Sequence, residues 1–278
     1  MANQESGHAQ LLTNILGEGN APLRCTYNYS DAFTDPRSYV DFSQRLTSWG
    51  ERGVIGFLAH LNSRDSANLL HQSISTESRQ QMIFRQFAGA FPMPVFFEAG
   101  IPQAWAWTLL APWIQSCPNK STPEFQRIMW TNFPKLTVVD EPKLQFNGSM
   151  AAVSTNRTAL THPGQQIHFT WENPGLLVGP DNAYTTQIHT NGTAKYALWV
   201  SQLNATYTPL TSTGNNTGFT VLPSPAADVY NTSITTGDPI LNGTNFVALT
   251  SDNPFVTSFN LSMINDFVVA DPAVFQFS

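Results

Sequence analysis

Between Pro134 and Asn173 the chain reads PKLTVVDEPKLQFNGSMAAVSTNRTALTHPGQQIHFTWEN, and this stretch restricts the fold more than any other. It holds three apolar runs, at 136–139, 150–153 and 167–171, each of strand length and bounded by Pro, Gly, Asn or Asp. Such punctuation marks consecutive strands joined by tight turns. Ile167, Phe169 and Trp171 share one side and His168 and Thr170 the other, so the period is two and not 3.6. The stretch is expected to be β-structure, and it carries no catalytic signature.

Charged residues make up only 12% of the 278, about half the usual share. A surface so poor in charge is built of neutral polar groups or is covered by neighbours, which points to a protein that is mostly interface. The net charge of −6 is uneven: residues 1–157 hold 12 basic and 12 acidic groups, whereas residues 158–278 hold Lys195 alone against seven acids. No basic arm exists to neutralise phosphates, which argues against strong direct binding of nucleic acid.

Cys25 and Cys117 are too few for a disulfide framework and match no metal spacing, so two free thiols in a reducing compartment are expected. The first sixteen residues lack the basic and apolar regions of a signal peptide, and no apolar run reaches the roughly 18 residues of a membrane span. Ten Asn-x-Ser/Thr sequons are then read as a by-product of an Asn- and Thr-rich chain.

Residues 1–50 are polar without a sustained period and are expected to form an extended arm, ordered only against partners. RGVIGFLAHL at 52–61 reads as a first strand, followed by a short helix around 66–71. Pro92, Pro94, Pro102 and Pro112 cut the next, aromatic segment into pieces too short for a helix. Alternation of Trp105 and Trp107 with Ala104, Ala106 and Thr108 suggests a strand over 104–114. Ser121-Thr122-Pro123-Glu124 reads as the start of a short helix reaching about Trp130. Further strands are expected at 195–203, 219–222, 246–249 and 267–277, which together indicate an antiparallel sandwich.

The search for chemistry returns no catalytic, metal or cofactor-binding residues. Asp140 and Glu141 are adjacent, so on a strand they face opposite ways and read as a turn pair before Pro142. His162 and His168 are separated by Pro163-Gly164, which breaks any shared strand face. Glu98 and Glu172 stand beside aromatic residues and read as rim carboxylates; a polysaccharide-cleaving enzyme would need them brought together. No nucleophile has a base placed to activate it, so no enzyme is expected.

The order of AWAWTLLAPW, the helix start in TPEFQRIMW, PKLTVVDEPKLQFNGSMAAVSTN, HPGQQIHFTWENP and KYALWVSQL resembles the capsid proteins of picornavirus-like positive-strand RNA viruses. Phe146 and Gly148 fill the Phe and Gly positions of that family's strand pattern, and Thr161-His162-Pro163 its following loop. The resemblance implies an all-β, eight-stranded antiparallel jelly roll with one or two short helices. The arm would span 1–50 and the capsid domain, with an extended C-terminal segment, 51–278. Its implied function is a structural subunit of an icosahedral virion, assembled in the host cytoplasm from copies of itself and sibling subunits around an RNA genome. That genome would be touched weakly or indirectly, and a host receptor is a further implied partner. The alternative is a carbohydrate-binding sandwich whose Trp105, Trp107, Trp113 and Trp130 stack on sugar rings.

Overall fold

The first third of the chain is helical, and the reason is local. Asp35 precedes Pro36, and its carboxylate accepts hydrogen bonds from the backbone N–H groups of Arg37 (2.8 Å) and Ser38 (3.0 Å). A capping carboxylate followed by Pro at the first helical position starts a helix efficiently. The computed structural model describes residues 1–118, 128–142, 160–162, 164–223 and 243–277. In it, helix α2 (Pro36–Leu58) follows α1 (Ala2–Leu16) and precedes α3 (Arg64–Phe87), which Ser63 caps by accepting from the Ser66 N–H at 3.1 Å. The shorter α4 (Gln103–Leu110) completes the set.

The expected arm at 1–50 is therefore α1 and most of α2, and the expected strand at 52–61 is the last two turns of α2 and its exit. The short helix around 66–71 is a fragment of the 24-residue α3. The expected strand at 104–114 is mostly α4. Trp105 and Trp107 lie about 200° apart on a helix, and both are buried because α4 is covered on opposite sides. Burial on two sides imitates the alternation of a strand. The all-β jelly roll with an extended arm is thus overturned. The runs at 121–127 and 150–153, with Phe146 and Gly148, lie outside the described residues, and 128–130 carry no helix.

The strands of the rest of the described chain pair antiparallel, and one isolated bridge, Asn132 with Thr186, is parallel. Strands β1 (Thr26–Tyr27) and β2 (Ile114–Ser116) pair, as do β5 (Leu177–Val178) and β6 (Tyr184–Thr185). One four-stranded sheet runs β3 (Leu136–Val138), β4 (Gln166–Trp171), β10 (Thr217–Val221), β9 (Thr211–Gly214). The other runs β12 (Val268–Gln276), β11 (Thr244–Thr250), β7 (Tyr196–Ser201), β8 (Asn204–Pro209).

The second sheet is the middle of three layers, as the alternation of its strands requires. Leu198, Val200, Phe246 and Ala248 turn toward Phe42 and Trp49 of α2 and Trp105 of α4. Their neighbours Ala197, Trp199, Val247 and Leu249 turn toward Leu136, Ile167 and Phe169 of the outer sheet. Every residue of β11 is buried, the burial expected of a strand covered on both faces.

Cys25 and Cys117 are not free thiols. They form a disulfide that ties the entry to β1 to the exit from β2, across 92 residues.

Candidate metal centre

Helix α2 has two faces with different chemistry. Phe42, Leu46, Trp49 and Gly53 repeat at helical spacing and face the middle sheet and α4, whereas Gln44, Ser48 and Glu51 form a second stripe. Gln44, Ser48 and Glu51 are all at most 1% exposed. The Glu51 carboxylate is met by the Ser78 hydroxyl of α3 on one oxygen, while its other oxygen, Oε2, is buried without a hydrogen-bond partner. Beside it Arg52 is ion-paired with Glu98.

None of the residues of helix α1 is buried, and polar groups connect it to α3 beside this stripe. Gln80 of α3 donates to Glu5 at 2.6 Å and to Gln4 at 3.3 Å. His8 stands between two carboxylates, its Nδ1 3.5 Å from Glu5 on its own helix and 3.5 Å from Glu77 on α3. That nitrogen is buried and hydrogen-bonds to neither.

Burial and then the neighbouring Glu5 and Glu51 push the Glu77 carboxyl up to about 7. Burial and then Glu98 push Glu51 up to about 7 as well, against the opposing pull of Arg52 and Ser78. Burial is the larger cause in both cases, and the crowding of like charges the second.

Among the described residues, Glu5, His8 and Glu77 are a group whose ligating atoms all lie within 4.8 Å of one another. Two carboxylates and an imidazole suit a divalent first-row ion. The positions are right as well: Glu5 and His8 are three apart and share a helix face, and Glu77 projects from the facing helix.

The residues singled out in the sequence lie elsewhere. Asp140 accepts from the His168 backbone N–H and meets its Nδ1, both at 2.9 Å, whereas Glu141 accepts from Arg45 at 2.9 Å; the adjacent pair does face opposite ways. His162 is on a separate turn. Glu98 belongs to the Arg52 pair, and Glu172 lines a cleft formed by other residues, so the two are not brought together. Trp105 and Trp107 are core, Trp113 is half-buried and Trp130 is half-exposed, so no shared tryptophan platform for a sugar exists.

Sequence reasoning did not single out Glu5, His8, Glu51 or Glu77. The available signal was the Glu5-x-x-His8 spacing, which carries meaning only once residues 1–16 are read as a helix.

Comparison with known proteins agrees with the helical reading. Residues 1–90 match the ferritin-like domain family. Bundles of that class hold metal through single Glu residues on two helices and Glu-x-x-His on two others. Here α1 carries one Glu-x-x-His, α2 supplies Glu51, and α3 carries Glu77 with Gln80 where a second His would stand. With the unpartnered Oε2 of Glu51 and Nδ1 of His8, the residues present fit one ion better than two. The chain is also 49% identical over 290 residues to Protein rds1 of the fission yeast Schizosaccharomyces pombe, an alignment covering 99% of this chain and 69% of that protein. These likenesses are to cellular proteins. They overturn the capsid reading with its sibling subunits, genome, receptor and virion location, and they lend the carbohydrate-binding alternative no support. The chain belongs to the family of the fission yeast protein rds1.

Proposed function

We propose that the helical layer binds a single divalent metal ion through Glu5, His8 and Glu77, and that the protein is a binder and not an enzyme. The observation that carries this reading is the His8 imidazole held between Glu5 and Glu77 with its Nδ1 unpartnered. A bound ion would supply the positive charge that these carboxyls lack. Gln80 holds Glu5 in place and Ser78 holds Glu51, so these two carboxylates have a supporting hydrogen bond of the kind that orients metal ligands. The Cys25–Cys117 disulfide suits an oxidising compartment better than the cytosol.

The test is metal binding by calorimetry and elemental analysis with Mn(II), Fe(II) under anaerobic conditions, and Zn(II). One equivalent is expected, lost in His8→Ala and Glu77→Gln. Equal uptake by those variants, or no uptake at all, would refute the assignment.

A further inference from the structure

A cleft of about 780 Å³ lies between α2, the turn after α4 and the β3 and β12 edges of the two sheets, away from the residues assigned to the metal. Its wall is aromatic: Phe42, Trp49 and Trp113 line it, with the rings of Phe42 and Trp113 4.5 Å apart and those of Trp49 and Trp113 6.3 Å apart. At its base are two polar side chains with nothing to bond. Asp271 is 1% exposed and neither of its carboxylate oxygens has a hydrogen-bond partner; Asn132 is 3% exposed and neither its amide nitrogen nor its oxygen has one. Buried polar groups are ordinarily paired, so two orphans on residues that line one cavity indicate a missing partner.

Asp271 is placed there by a departure from regular pairing. Val247 and Leu249 of β11 sit opposite Ala273 and Ala270 of β12, so β12 uses three steps where β11 uses two, and Asp271-Pro272 fills the bulge. Bulges re-aim side chains in this way beside binding sites. The charge around the cleft is acidic: Asp31, Asp41, Glu141, Glu172 and Asp271 face Arg45 and Lys135. Arg45 is already occupied, at 3.0 Å from Asp41 and 2.9 Å from Glu141. Lys135 is at the exposed rim. Desolvation pushes the Asp271 carboxyl well above its ordinary range, so without a counter-charge it keeps its proton, and a cation bound beside it would favour the ionised form.

We infer that this cleft is a binding site for a small organic primary amine, whose ammonium bonds Asp271 and Asn132 while its carbon skeleton packs on Phe42, Trp49 and Trp113. An ammonium supplies three donors, which serve both Asp271 oxygens and the Asn132 carbonyl. The aromatic faces favour a cation over a neutral group. The cleft volume lies within the usual range for small-molecule sites.

The test is calorimetric titration of the full chain with tyramine and spermidine, and with 4-ethylphenol as the uncharged counterpart of tyramine. One of the amines is expected to bind with one-to-one stoichiometry, at least about tenfold more tightly than 4-ethylphenol, the effect of one charge-assisted hydrogen bond. Asp271→Asn should remove that preference while leaving the melting temperature of the free protein nearly unchanged, since one buried uncharged polar group replaces another. If Asp271→Asn does not fold, Trp113→Leu at the half-buried wall should weaken amine binding by a similar factor. The inference is overturned if neither amine binds at millimolar concentration, if 4-ethylphenol binds as well, or if the folded variants bind the amine like the native chain.

Discussion

At Gly56 the packing leaves no volume for a methyl group. A Cβ there would overlap the Ile101 carbonyl, and one at Gly53, a turn earlier, would stand 2.9 Å from the Ala106 side chain. These glycines let α2 lie directly on α4 and on the segment before it. Gly56→Ala is expected to destabilise the fold by about 2–3 kcal/mol, although alanine is the better helix former by about 1 kcal/mol; a denaturant midpoint measures it. Glu51 makes a second, pH-dependent prediction. Its carboxyl titrates near 7 in the folded chain against a usual 4.5, so the folded state holds the proton more tightly. In metal-stripped protein, the stability this contributes is complete below pH 4.5 and lost as pH rises to 7. The loss is on the order of 3 kcal/mol. Melting curves from pH 4.5 to 7.5 should show the decline, and Glu51→Gln should make it shallower.

Among the elements, α2 depends on its cap. Asp35→Ala removes the acceptor for two backbone N–H groups and should cost about 1 kcal/mol, measurable by chemical denaturation. Reduction of the disulfide frees a loop of 92 residues and should cost about 4.6 kcal/mol by the chain-entropy account. A lower melting point in reducing agent, reproduced by Cys117→Ser, is the expected outcome. Legibility in the sequence also divides by element. Strands at 136–138, 166–171, 196–201, 217–221, 244–250 and 268–276 overlap the short apolar runs read as strands, because such runs are of strand length and bounded by turn residues. The helices were hidden for physical reasons. α1 buries no residue and so shows no apolar stripe, α2 carries a polar stripe toward α3, and α4 is covered on two sides. The Asp35-Pro36 and Ser63-x-x-Ser66 caps were legible and would have started α2 and α3 correctly. The Glu5, His8 and Glu77 group could not be read without those helices, since only the fold brings Glu77 beside Glu5 and His8. The capsid resemblance rested on the order of β-patterns, which an unrelated sandwich satisfies equally well.

In the whole molecule one sheet is shared by two neighbours. Trp199 lies fully buried on its outer face, its indole N–H donating to Thr208 at 2.9 Å and its ring edge-on to Phe275 at 5.5 Å. Leu198 and Val200 next to it face the helices. Trp199→Ala should cost about 3–5 kcal/mol, and the loss should appear equally in far-ultraviolet signals from helix and sheet, in a single transition. The position of β11, with both flanks of every residue enclosed, means that the stretch 1–90 does not end at a natural seam. Cut out at that point, it would expose the apolar sides of Phe42 and Trp49 to water and deprive them of Phe246 and Ala248. Whatever this helical module does in its relatives, here it is not a detachable cartridge, and transplanting its chemistry would require carrying the sheet along.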